Sequence, residues 1–412
     1  MRFSIFAIAS VVFAVVPAYA APSPLRQVER YDGETTGRYI IVLKDGVSKD
    51  NVLGNLRTSG APIEVAAEWD IINGFSSELD EASLNALRAS DDVAYITEDG
   101  IATISATQTN APWGLGRISQ DGLLSNQNAA ALTFTYTYHD SAGAGVDVYV
   151  VDTGVYTAHT QFEGRARWGA TFGGYANADG NGHGTHCAGT IAGSQFGVAK
   201  AASIIAVKVL SDGGSGAWAD IISGLNWVGT QASASGRPSV VSMSLGGVAI
   251  HQLTSLGVHV VVAAGNNNAN AANYSPARAP SAITVGASTI ADARASFSNY
   301  GTIVDVFAPG QSVISAWIGG TTATNSISGT SMATPHVAGL AAYFISKDGN
   351  LSPAALEAKI KDLSVKNALS GLRKCFCAFV RYPLNLSHSF RYPQQLGSKH
   401  LVNKCPQALR MG

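Results

Sequence analysis

An α/β protein with a doubly wound, mostly parallel sheet, preceded by a small α+β module, is the fold class that the sequence predicts. Three observations carry it. Six short apolar runs without polar alternation, Val146–Val151, Ser203–Leu210, Val240–Ser244, Val258–Ala264, Ala282–Gly286 and Ile303–Phe307, read as strands buried on both faces. Stretches with helical spacing, Thr185–Ala192, Asp220–Val228 and Ser331–Ile345, are interleaved with them. Upstream, residues 38–103 run strand, helix, strand, strand, helix, strand, the order of a ferredoxin-like unit.

The elements follow in chain order. Arg2, the apolar run Ile5–Val16 and Ala18-Tyr19-Ala20 form a signal peptide over residues 1–20, a positive start before an apolar core and a small-x-small cleavage site. The run is shorter than the ~20 residues that span a bilayer, so secretion and not anchoring is expected. Residues 21 to about 37 read as an irregular linker. In the module, Tyr39–Leu43 reads as a strand and Ser48–Leu56 as a helix. Trp69–Leu79 reads as a strand with a turn, Asp80–Ala89 as a helix with an acidic start, and Val93–Thr97 as a closing strand. With 412 residues, a net charge of −1 and 13% charged residues, the chain has no run of like charge. Nucleic acid and membrane surfaces are therefore not expected partners. Four cysteines, three of them (Cys375, Cys377, Cys405) near the end, are too few for a disulfide scaffold.

Three segments carry chemistry. Val150-Val151-Asp152-Thr153-Gly154 ends a buried strand with an acid, where open α/β sheets gather functional groups. Alone, such an Asp is also a turn cap. Aspartic proteases share the Asp-Thr-Gly signature but need two such carboxylates, and this chain has one. Gly182-His183-Gly184-Thr185-His186-Cys187 sets an imidazole among glycines before a helix. A zinc site on His183, His186 and Cys187 needs three or four converging ligands, and no second Cys/His cluster occurs before the tail. A structural histidine is the plainer alternative. Gly329-Thr330-Ser331-Met332-Ala333-Thr334-Pro335-His336 places Ser331 at the start of an apolar helix, where free N–H groups favour a developing oxyanion. By itself Ser331 reads as a helix N-cap. A fourth segment, Ala264-Gly265-Asn266-Asn267, offers a side-chain amide suited to an oxyanion hole.

Taken together, the order Asp, His, Ser is that of subtilisin. From Thr109-Asn110-Ala111-Pro112-Trp113-Gly114-Leu115 to about Ser370 the chain resembles the subtilase family, and most of all its fungal proteinase K-like branch. Residues 38–103 are similar to that family's inhibitory propeptide. The resemblance implies a secreted, autoprocessed serine endopeptidase: residues 21–106 a propeptide cut near Ala106, residues 107–371 the catalytic domain. It implies that His183 is the base, Asp152 its orienting partner, Ser331 the nucleophile and Asn266 the oxyanion donor. Gly214-Ser215-Gly216 and Ser244-Leu245-Gly246 match the paired edges between which a peptide adds as a strand. Ala263, Ala264 and Gly265 match an apolar pocket for the residue before the cut, hence broad specificity with aromatic or aliphatic preference. The family also implies structural Ca2+ without an organic cofactor, at the carbonyls of Pro280 and Ala282 and the carboxylate of Asp305. Cys187 matches a free thiol beneath the catalytic His, so mercurials are expected to inhibit. The cysteines of proteinase K's disulfides are missing, for example at Asp147, and a monomer is expected.

The chain departs from the family in two places. Only Val248–Gly257 remain where a full crossover helix is expected. After the helix begun at Ser352-Pro353, the closing turn and strand give way near Gly371 to a basic tail, residues 372–412. An omitted coding segment and a read-through intron would explain both. The competing function class is a non-catalytic, subtilase-like binding or inhibitory protein, which degenerate motifs would mark and these do not. Sequons stand at Asn273, Asn350 and Asn385.

Overall fold

Apolar runs can bury their side chains only if their backbone N–H and C=O groups are paired, and this chain does so in two separate sheets. A computed structural model describes residues 25–31, 35–58, 63–100, 105–244, 250–372 and 378–380. Contacts divide the chain into two units, Met1–Ala102 and Thr103–Gly412.

The first unit contains β1 (Val28–Glu29), β2 (Thr35–Leu43), α1 (Lys49–Thr58), β3 (Glu64–Trp69), β4 (Gly74–Glu78), α2 (Glu81–Ala89) and β5 (Val93–Gly100). Its sheet has the order β1-β5-β2-β4-β3. Helix α2 begins where the Asp80 carboxylate accepts the Ser83 N–H, satisfying a donor that the first turn leaves free. Ile41, Leu53, Phe75, Leu87, Val93 and Ile96 form its core. The linker expectation is corrected at two points. Val28–Glu29 pairs with Ile96–Thr97, and β2 already begins at Thr35, within a stretch too polar to announce a strand. The signal-peptide reading over residues 1–20 lies outside the described residues.

The second unit opens with β6 (Ser105–Ala111), α3 (Trp113–Ile118) and β7 (Phe134–His139), followed by β8 (Asp147–Asp152), β9 (Ala166–Thr171), α4 (His183–Ala192) and β10 (Ser203–Lys208). Next come α5 (Trp218–Ser235), β11 (Ser239–Met243), α6 (Ile250–Ser255), β12 (His259–Ala263), β13 (Ile283–Ser288) and β14 (Val306–Pro309). It closes with β15 (Val313–Ala316), β16 (Thr324–Ile327), α7 (Thr330–Asp348), α8 (Pro353–Leu363), β17 (Val365–Lys366) and β18 (Ala378–Phe379). The main sheet runs β17-β18-β14-β13-β12-β11-β8-β10-β9, parallel throughout except at β17. All six residues of β8 are buried, as a central parallel strand requires. Helix α7 is buried at every position from Thr330 to Ile345, so it carries no polar stripe, and its polar residues Thr330, Ser331, Thr334 and His336 all lie inside. Each Val, Leu or Ile so buried contributes about 1.5–3 kcal/mol.

Both departures find a place in this sheet. The crossover from β11 to β12 closes with the six-residue helix α6, whose Ile250 and Leu253 reach the core, and β11 still pairs in parallel with β12. The tail expectation is corrected for residues 378–380: Ala378–Phe379 pairs with Val306–Phe307 on one side and Val365–Lys366 on the other, adding a strand between β14 and β17. Phe379 is fully buried beneath Arg117, whose guanidinium lies 4.3 Å from the ring centroid and binds Asp292 through two nitrogens. Cys375, Cys377 and Cys405 lie outside the described residues. The run expected at Ile303–Phe307 becomes a strand only from Val306, because a turn closed by Val304 N–H to Gly301 O (3.1 Å) occupies its start. Strands β9 and β16 carry no apolar run for periodicity to reveal. Among the described residues, no helix is long and apolar enough to cross a membrane.

Candidate active site

The carboxyl ends of β8, β10, β11 and β12 and the starts of α4 and α7 deliver the candidate residues. Asp152 is the last residue of β8 and is 1% exposed. Its Oδ1 accepts the Thr153 N–H at 2.7 Å and lies 2.8 Å from His183 Nδ1. His183 opens α4 after Gly182, whose φ of +98° only glycine adopts readily. Gly184 is equally constrained: a Cβ there would lie 2.1 Å from Gly154 O. Burial works against charge on His183, but the neighbouring Asp152 carboxylate outweighs it and the imidazole pKa is raised.

Asp179, unremarked in the sequence, holds this loop. Its Oδ1 accepts the Thr153 hydroxyl (2.9 Å) and the Asn181 and Gly182 amides; its Oδ2 accepts the Thr185 amide and hydroxyl. Five bonds on one buried carboxylate tie the Asp152 turn to the start of α4. Its only sequence signal was a turn-rich Asp-Gly-Asn-Gly run.

Ser331 is the second residue of α7 and 9% exposed. Its hydroxyl donates weakly to Ser244 O at 3.4 Å. Asn266, just beyond β12, turns its Oδ1 to the Thr330 amide (2.8 Å) and hydroxyl (2.9 Å), which leaves its Nδ2 facing the other way. A Cβ placed on Gly329 would lie 3.5 Å from Ser331 N and 3.7 Å from Asn266 Nδ2, so both donors flank one space. That space adjoins a pocket lined by Ser244, Ala263, Ala264, Gly265, Asn266 and Ser331. Asn299, fully buried, shapes the wall by donating to Ala264 O and accepting the Asn267 and Ala269 amides. It lies far along the chain from Asn266, with no local motif to reveal it. Gly214–Gly216 form an exposed turn after β10, closed by Ser211 N–H to Ser215 O (2.8 Å). Leu245 and Gly246 lie outside the described residues.

The metal alternatives fare differently. His186 is turned away, with its Nε2 on Val313 O at 2.9 Å, so the His183, His186 and Cys187 set does not converge. Asp152, His183 and Cys187 do approach one another, but Asp152 Oδ1 is already held 2.8 Å from His183 Nδ1 and Cys187 Sγ is turned to Ser331 O at 3.4 Å. Subtilases are commonly calcium-binding and need no organic cofactor. Of the expected set of Pro280, Ala282 and Asp305, only Asp305 brings a carboxylate, and it is engaged within the fold. Asp305 Oδ1 accepts the Lys361 ammonium at 2.9 Å and Oδ2 the Thr284 amide at 2.8 Å, so an internal cation already holds the only carboxylate of the set.

Comparison with known proteins accords with this architecture. The sequence profile of the subtilase family matches residues 143–401. The chain is 48% identical over 351 residues to "Subtilisin-like protease 2" of Pseudogymnoascus destructans, covering 80% of this chain and 85% of that protein. It is 48% identical over 337 residues to "Proteinase R" of Parengyodontium album, covering 79% and 82%. It is 44% identical over 375 residues to the "Cuticle-degrading protease" of Metarhizium anisopliae, covering 87% and 92%. The crystal structure of a cold adapted subtilisin-like serine proteinase superposes with a TM-score of 0.60 at 44% identity, covering 66% of this chain and 98% of that one. An extended family match, several relatives near half identity and a shared parallel-sheet fold agree: the chain belongs to the subtilase family, in its fungal proteinase K-like branch, and is a serine endopeptidase.

Proposed function

We propose that the chain is a secreted zymogen that hydrolyses peptide bonds through Asp152, His183 and Ser331. The observation that carries this reading is the 2.8 Å Asp152–His183 pair, within 4.8 Å of the Cys187 sulfur that in turn lies 3.4 Å from Ser331 O, together with a space flanked by Ser331 N and Asn266 Nδ2. His183 Nε2 takes the proton of the Ser331 hydroxyl as Oγ attacks the carbonyl carbon. The carbonyl oxygen gains the negative charge between the Asn266 amide and the Ser331 N–H. His183 then gives its proton to the leaving amine, and the acyl-enzyme is released when water repeats the sequence. Asp152 keeps the ring in its tautomer and stabilises the imidazolium.

A peptide would add as a strand between Gly214–Gly216 and Ser244–Gly246, where main-chain hydrogen bonds demand little of its sequence. Ala263, Ala264 and Gly265 favour an aromatic or aliphatic residue before the cut. Residues 1–20 would direct secretion, and residues 21–106 would serve as a propeptide removed near Ala106, which lies in β6 opposite Tyr138. The mature enzyme would act as a monomer.

Secreted expression of the chain beside its Ser331→Ala variant tests the reading. The account expects a mature N-terminus near Ala106, and hydrolysis of an apolar chromogenic peptide, in the parent alone. Equal hydrolysis by both proteins would refute it.

A further inference from the structure

In an α-helix the N–H of residue i binds the carbonyl of residue i−4. Pro335 lies inside α7 and has no N–H, so the carbonyl four residues earlier loses its helical donor. That carbonyl belongs to Ser331. Two side chains take the place of the missing amide: the Ser244 hydroxyl at 3.2 Å and the Cys187 thiol at 3.4 Å. Together they fill both lone pairs of the oxygen. Cys187 sits on α4 one turn after His183 and is 1% exposed, and burial keeps its sulfur protonated and able to donate. Ser244 follows β11, where the substrate edge begins. The two donors therefore tie Ser331 to the element carrying His183 and to the element beside the scissile bond.

We infer that Ser244 and Cys187 are positioning residues, whose hydroxyl and thiol replace the backbone bond deleted by Pro335 and thereby fix Ser331 against His183. The inference rests on the proposed role of Ser331. A nucleophile must be held within about 0.5 Å of its productive place. An unsatisfied carbonyl at its own peptide would loosen Ser331 where tolerance is least.

The experiment measures kcat and KM for Ser244→Ala, Cys187→Ala, the double variant and Cys187→Ser, each with Pro335 retained or changed to Ala. Removing both donors should lower kcat about 10–100-fold, the worth of one or two buried hydrogen bonds, with little change in KM. Cys187→Ser keeps a donor and should retain most of the activity. Pro335→Ala returns an N–H that can claim Ser331 O, so in that background the same double variant should lose less than about threefold. A general packing defect would not be rescued in this way. Full kcat in the double variant, or an equal loss in both backgrounds, would overturn the inference. Should the double variant fail to mature, Ser244→Ala with and without Pro335→Ala makes the same comparison. Hydrolysis insensitive to Ser331→Ala would instead sink the function proposed above, so the two failures are distinguishable.

Discussion

Two aspartates at opposite ends of one sheet show how this fold separates chemistry from support. Asp152 ends β8, at the carboxyl edge of the parallel strands; Asp305 precedes β14, at the amino edge. Each holds a nitrogen base at nearly the same distance, His183 at 2.8 Å and Lys361 at 2.9 Å. The difference lies in what the partner can do. An imidazole changes charge near neutral pH and can pass a proton, whereas a lysine ammonium beside two carboxylates, Asp305 and Glu357, stays charged and acts as a strut. Open α/β sheets use their carboxyl edge for chemistry because loops and helix starts converge there. The amino edge is free to be filled for stability.

Perturbing the two edges should therefore give opposite phenotypes. The largest effect is expected from Ser331→Ala or His183→Ala, each lowering kcat about 10⁶-fold, a magnitude taken from subtilisin within the same family. Asp152→Asn should cost about 10⁴-fold, by analogy with the same change in a serine protease of another fold. It should also move the acid limb of the kcat/KM profile downward. Burial opposes charge on His183 but Asp152 raises its pKa, so the parent limb should lie above the ordinary imidazole value of 6.5. A limb unmoved by Asp152→Asn would break the link between the pair and the chemistry. Asn266→Ala should lower kcat about 10²–10³-fold with KM nearly unchanged, read from steady-state kinetics; this magnitude too is subtilisin's.

Smaller effects concern stability. Burial depresses His336 to about 4 and His186 to about 3, so both fold neutral. The unfolded chain binds protons that the folded chain refuses, so their stability is full above pH 6.5 and is lost as pH falls toward about 4. Urea unfolding of the Ser331→Ala protein should show this loss, with a shallower slope in His336→Gln. The smallest change belongs to the amino edge. Lys361→Met should lower Tm by a few degrees at most, since a half-exposed pair is worth about 1 kcal/mol or less, and should leave kcat unchanged. Asp305→Asn should not alter the response of Tm to EDTA. A calcium-dependent Tm abolished by Asp305→Asn would show the ion displacing Lys361.

The sequence made the carboxyl edge readable because its residues sit in local motifs: an acid after a buried run, a histidine among glycines, a serine opening an apolar helix. Periodicity exposed the six central strands because burial on both faces forbids polar alternation. What stayed hidden was non-local. Asp179 reaches across the fold to the Thr153 hydroxyl and Asn299 to the Asn267 and Ala269 amides, and no spacing announces either link. Lys361 carries no local motif, and only the fold brings it to Asp305. Ala378–Phe379 lies in a tail whose composition suggested no strand, yet β14 offered an unpaired edge.

The central claim, that Ser331 is a nucleophile activated by His183, is tested most directly by covalent labelling. The mature parent would be treated with an organophosphorus fluoride, and the modified peptide located by mass spectrometry. The account predicts one phosphoryl group per chain, on Ser331, formed far more slowly in His183→Ala. A label on another residue, or equal labelling in the His183→Ala protein, would contradict it.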